Sequence, residues 1–262
     1  MSVLAPNKTP SKDRKPCILP SAKRGKALTI AVAVQCPQGI VLGADSLMSH
    51  GTAADVGSFA HYETKVHSTN GNYFAAALTG AASDAEQLRS FAGYFLPALK
   101  AAETEDAESI PNVKQILENE LNNFATLVNA APEISLLVAG ITSPFYQPEL
   151  FRTTGLVVRS AGPVEVVGIG ETSLIQYAID SIYKPDMSLR QAQVLTGFLV
   201  YAGKRFCPQY CGGKTDIHFL KREYPLWDCL TEWEITTLEK FFRNNEKRTL
   251  RQFADQAIDL LK

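Results

Sequence analysis

Leu28 to Ser46 reads LTIAVAVQCPQGIVLGADS: two apolar runs of strand length, interrupted once at Pro37-Gln38-Gly39. Val and Ile dominate both runs, and a short turn between two such runs predicts an antiparallel hairpin. A hairpin brings its two ends together. Thr29, which opens the first run, then comes level with Asp45, which closes the second. A threonine at the start of a strand is a candidate N-terminal nucleophile. The same residues also fit an ordinary buried hairpin that ends in a solvated aspartate.

The rest of the chain bounds the setting. Its 262 residues, 45% hydrophobic and 20% charged, suit one large domain or two small ones with a sizeable core. A formal net charge of −1 gives no electrostatic case for nucleic acid or an anionic membrane. No apolar run is long enough to span a bilayer. The odd number of cysteines, five, points to a reducing, cytoplasmic compartment rather than a disulfide framework. Cys207, Cys211 and His218 lack a fourth partner for a metal site, and buried thiols are the simpler reading.

Residues 1–27 are rich in Lys, Arg, Pro and Ser without apolar periodicity, and predict a flexible basic arm or pro-segment. Residues 28–262 form the folded part. Short strands are expected at Glu63–Ser68 and Tyr73–Leu78, around Asn70-Gly71-Asn72, with Thr79-Gly80 breaking the pattern. A helix from Ala82 to about Ala102 opens with Ser83 and Glu86 in capping-box spacing, and Pro97 should kink it or end it early. A second helix runs from about Pro111 to Asn129.

Strands follow at Ile134–Ile141, Glu149–Val158 and Val164–Ile169, then helices at Ser173–Tyr183 and Ser188–Phe206, and a strand at Thr215–Leu220. Residues 221–262 are expected as a C-terminal helical extension, with helices near Thr231–Arg243 and Thr249–Leu261. Grouped strands separated by paired helices argue against regular βαβ alternation. They predict an α+β fold: a four-layer αββα sandwich, two sheets face to face with helix pairs outside.

An ordered set of motifs in this chain resembles the proteasome β-subunit family of N-terminal-nucleophile hydrolases, in a divergent bacterial-type form. The set comprises the Thr29 strand, GIVLGADS (Gly39–Ser46), Lys65-Val66, AAALTGAASDAEQL (Ala75–Leu88) and GGKTDIHFL (Gly212–Leu220). The spacing from Thr29 to Asp45 matches the family's without a gap. The resemblance implies a threonine-type peptidase or amidohydrolase, exposed by cleavage before Thr29 and assembled into a homo-oligomeric ring. Polypeptide is then the substrate and an unfolding ATPase a candidate partner, with no cofactor, metal, nucleic acid or membrane.

Carried across, Thr29 is the nucleophile and, through its freed amine, the base. Lys65 favours the alkoxide, Asp45 orients Lys65, and the Gly80 N–H stabilises the oxyanion. Ser49 offers main-chain contacts to an extended peptide, while Met48, Leu78 and Ala82 map to an apolar side-chain pocket.

The chain departs from the pattern at four positions. Leu28 stands where a glycine usually precedes the nucleophile. Isoleucine occupies the middle of the turn Gly168-Ile169-Gly170-Glu171 in place of a serine. Pro208 and Cys211 replace an Asp and a Ser before the late glycine pair. These residues leave a second reading open: a non-catalytic, α-type scaffold subunit that keeps its N-terminus. A small-molecule amide hydrolase fits less well, because no cysteine sits at the strand start.

Overall fold

The computed structural model describes residues 29–48, 61–71, 74–82, 85–102, 112–130, 132–142, 147–168, 173–208 and 210–260. The basic arm, Leu28, Ser49, the Ser83 cap, Pro111 and the Ile169–Glu171 turn lie outside these residues.

Strands β1 (Ile30–Cys36) and β2 (Gly39–Asp45) pair antiparallel, in register from Ala31 opposite Ala44 to Cys36 opposite Gly39. A ribbon of β3 (Leu47–Met48) and β4 (His61–Tyr62) follows. Next come β5 (His67–Asn70), β6 (Phe74–Ala82), α1 (Ala85–Ala101) and α2 (Val113–Leu127). β7 (Ile134–Thr142), β8 (Gln147–Thr154), β9 (Val157–Ser160) and β10 (Val164–Gly168) complete the middle of the chain. The last elements are α3 (Ser173–Ile182), α4 (Leu189–Phe206), β11 (Thr215–Lys221), β12 (Tyr224–Cys229) and α5 (Glu232–Leu260).

Two five-stranded sheets result, ordered β10-β1-β2-β11-β12 and β5-β6-β7-β8-β9. Alternation of side chains between the two faces of each strand sets the layers. In β1, Ile30, Val32 and Val34 pack under α3 and α4, while Ala31 and Ala33 face the other sheet. In β6, Phe74, Ala76 and Leu78 pack under α1 and α2, while Ala75 and Ala77 face inward. The inter-sheet layer joins these alanines to Ile40, Leu42, Leu137, Ile141, Leu220 and Trp227, and the opposite faces of the strands fill the two helix-facing cores. This is the αββα sandwich, with helices packed on the outer face of each sheet.

The structure corrects several boundaries. Thr79-Gly80 continues β6 to Ala82 rather than breaking it. Helix α1 runs through Pro97 to Ala101. Pro97 and Gly93, whose carbonyl loses its donor, are both exposed, and the buried Phe91, Phe95 and Leu99 hold the helix to the sheet. The stretch expected as one strand over Glu149–Val158 is a hairpin, β8–β9, turned at Gly155 with φ +57°.

The C-terminal extension is not wholly helical, because β12 pairs with β11 and closes the sheet's edge. Its Pro225 fits an edge strand, where one face of the ladder needs no donor. Beyond it, α5 is one helix rather than two.

Candidate active site

The β1–β2 hairpin places Thr29 and Asp45 as its register requires. The Thr29 hydroxyl donates to Asp45 Oδ1, and the Ile30 N–H donates to the same oxygen at 3.1 Å. Lys65, from the irregular segment between β4 and β5, completes the cluster. Its Nζ donates to Thr29 Oγ1, to Asp45 Oδ1 at 2.9 Å and to the Leu47 carbonyl. Three acceptors meet the three N–H groups of an ammonium. Burial pulls the Lys65 pKa below its usual value, and the Asp45 charge opposes that pull. Thr29, Asp45 and Lys65 are 4%, 0% and 1% exposed.

The last anchor comes from the other end of the chain. The Gly212 N–H donates to Asp45 Oδ2 at 2.9 Å, and the Lys214 N–H to the Ser46 hydroxyl at 2.8 Å. The sequence singles out the Gly212-Gly213 pair but not this role. Cys211, which stands where a serine was expected, is buried beside the cluster; burial and the Asp45 charge push its thiol pKa up. The thiol is thus held as a neutral group. Pro208 sits exposed in the loop between α4 and β11.

The remaining expected residues lie on β6 and in the β3–β4 ribbon. Gly80 lies within β6 opposite Leu136, and a Cβ there would meet the Ser135 carbonyl at 2.4 Å. Leu78 and Ala82 are buried in the core under α1 and α2. Met48 is in the β3–β4 ribbon, opposite His61. Among the described residues no group of three or more His, Cys, Asp or Glu could hold a metal ion. No described helix is long and apolar enough to cross a membrane.

Gly168 fixes where Thr29 starts. It pairs with Ile30 at φ +82°, and a Cβ on it would lie 2.1 Å from the Thr29 carbonyl oxygen. Gly168→Ala is therefore expected to cost at least about 2–3 kcal/mol, through backbone strain plus displacement of Thr29. Gly155→Ala, at φ +57° with open space around it, is the control and should cost about 1 kcal/mol. Equal melting temperatures for the two variants would show that the Gly168 contact does not constrain the site.

A buried threonine, lysine and aspartate at the end of the central hairpin of an αββα sandwich define the architecture of the N-terminal-nucleophile hydrolases. Residues 26–206 match the family model for proteasome subunits, and the chain belongs to that family. It is 27% identical over 178 residues to proteasome subunit beta type-9 of Bos taurus, covering 68% of this chain and 75% of that protein. Among solved structures, Anbu (ancestral β-subunit) from Yersinia bercovieri is similar with a TM-score of 0.68 at 14% identity. That likeness covers 86% of this chain and 97% of the other. The helical assembly of the Anbu complex from Pseudomonas aeruginosa gives a TM-score of 0.62 at 14% identity, over 86% and 96%. At such identities these structures speak for the fold.

Proposed function

We propose that this proteasome-family subunit is a threonine-type hydrolase of polypeptides, activated by cleavage before Thr29. The observation that carries the reading is Lys65 Nζ donating to both Thr29 Oγ1 and Asp45 Oδ1 in a nearly dry site. A threonine hydroxyl needs such a neighbour, because alone it is a weak nucleophile.

Cleavage would turn the Thr29 amide nitrogen into an amine with a pKa of about 7.7–8.0, able to take the hydroxyl proton. The oxygen then attacks the scissile carbonyl, with Lys65 countering its charge and the Gly80 N–H countering the oxyanion. The proton passes from the amine to the leaving nitrogen as the C–N bond breaks, leaving an ester on Thr29 that water hydrolyses. Asp45 holds Lys65. Ser49 would meet the substrate backbone, and Met48 would offer an apolar contact to the substrate side chain.

Residues 1–27 serve as a pro-segment in this reading, and 28–262 as the hydrolase domain. A homo-oligomeric ring or related assembly, fed by an unfolding ATPase, would confine the chemistry. The assembly of the Anbu complex supports the oligomeric part. Cys36, Cys207, Cys211 and Cys229 are free, which suits a cytoplasmic setting.

The test is intact mass and N-terminal sequencing of natively produced protein, followed by an electrophile that traps N-terminal threonines. A chain beginning at Thr29 with one adduct on that residue is expected. A chain that keeps residues 1–28 and stays unlabelled sinks the hydrolase reading in favour of the uncleaved scaffold. Activity should also be bell-shaped in pH. It should rise as the Thr29 amine loses its proton near pH ~7.7–8.0. It should fall as Lys65 loses its own at a pH below the ordinary 10.5, since burial lowers that pKa.

A further inference from the structure

A cavity of about 360 Å³ opens between α4 and α5, separate from the threonine cluster. Tyr201, Lys204 and Arg205 wall it from α4, and Glu239, Arg243, Glu246 and Lys247 from α5. Four of these side chains are cations and two are carboxylates, so the walls hold a surplus of two positive charges.

Both carboxylates are already engaged by the cavity's own wall. Glu239 Oε1 accepts from Lys204 Nζ and from the Thr215 hydroxyl, each at 2.7 Å. Glu246 accepts from the Tyr201 hydroxyl at 2.9 Å and from Arg205 Nε at 3.4 Å. Arg243 and Lys247 have no ion pair among the described residues. They stand four residues apart on α5, one turn, and line the same cavity. Two uncompensated cations held side by side repel each other, and a dianion between them would relieve that repulsion.

We propose that this cavity binds a phosphate group, as the free ion or as the monoester of a small molecule. The guanidinium of Arg243 can meet two phosphate oxygens at once, and Lys247 adds a point charge. A single carboxylate would leave one of the two cations unmatched. The volume exceeds what phosphate needs and falls at the small end of the range for small-molecule pockets, leaving room for an organic part against the Tyr201 ring. Binding here does not depend on whether Thr29 is cleaved. The cavity does lie behind the threonine cluster, because Lys204 Nζ also donates to Thr215 Oγ1 at 3.0 Å and Thr215 pairs with Asp45.

Calorimetric titration of the purified full chain with inorganic phosphate and with phenyl phosphate, at constant ionic strength, tests the proposal. Saturable binding is expected, weakened about tenfold for each cation removed in Arg243→Ala and Lys247→Ala and about a hundredfold in the double variant. Both side chains are exposed, so the variants should fold as the parent does. Glu246→Gln, which removes a wall charge and frees Arg205, should tighten binding. Tighter binding of phenyl phosphate than of phosphate assigns the site to a monoester; equal affinities assign it to the free ion. Absence of saturable binding, or equal affinity in the double variant, overturns the proposal.

Discussion

Replacing Thr29 by Ala should take hydrolysis of an unfolded polypeptide to background, a loss of about 10⁴-fold or more. The fold should barely notice. The substitution deletes one hydroxyl but leaves Lys65 and Asp45 paired at 2.9 Å and the Ile30 and Gly212 N–H groups on the carboxylate. A cost of about 1 kcal/mol is expected, seen as a small drop in melting temperature. Thr29 also follows the proposed cut, so the comparison is cleanest with chains that already begin at residue 29. Thr29→Ser in that form should keep substantial activity, since hydroxyl and amine both survive. Undiminished turnover in the alanine variant would move the chemistry to another residue.

The residues that made the fold legible are those with a strong local pattern. The Val- and Ile-rich runs on either side of Pro37-Gln38-Gly39 stand in the structure as the β1–β2 hairpin, buried on both faces at the centre of one sheet. Where a local signal and tertiary packing disagreed, packing won. Pro97 argues for a helix end, yet Phe91 stacks on Phe95 with ring centroids 5.8 Å apart and meets Phe124 at 5.7 Å, which carries α1 onward. Pro225 argues against a strand, and only the edge position of β12 reconciles the two.

In the site, Thr29 and Asp45 were legible because one hairpin joins them. Lys65 was not, since its segment has no regular pattern, and only the family resemblance singled it out. The Gly212 contact was invisible. A main-chain donor has no residue-type signature, and this one reaches Asp45 across 167 positions of sequence.

Lys65→Met carries the largest expected stability loss. Methionine keeps an apolar stem of similar length, so packing changes little, but Asp45 is left fully buried without its cation. Breaking a buried ion pair from one side costs about 3–5 kcal/mol. For a chain of this size that lowers the melting temperature by roughly 6–20 °C. The lysine itself is no net gift to the fold, because burial already pulls its pKa down. Removing both charges should therefore reverse the loss. In Lys65→Met/Asp45→Asn the amide carbonyl can still accept from the Ile30 or Gly212 N–H, and no charge is stranded. The double variant should melt near the parent or above it, while a double-mutant cycle shows strong coupling. A single variant as stable as the parent would show that Asp45 does not depend on Lys65. A rescued double variant without activity would show instead that the pair is held for what it does to Thr29, at some expense to the fold that surrounds it.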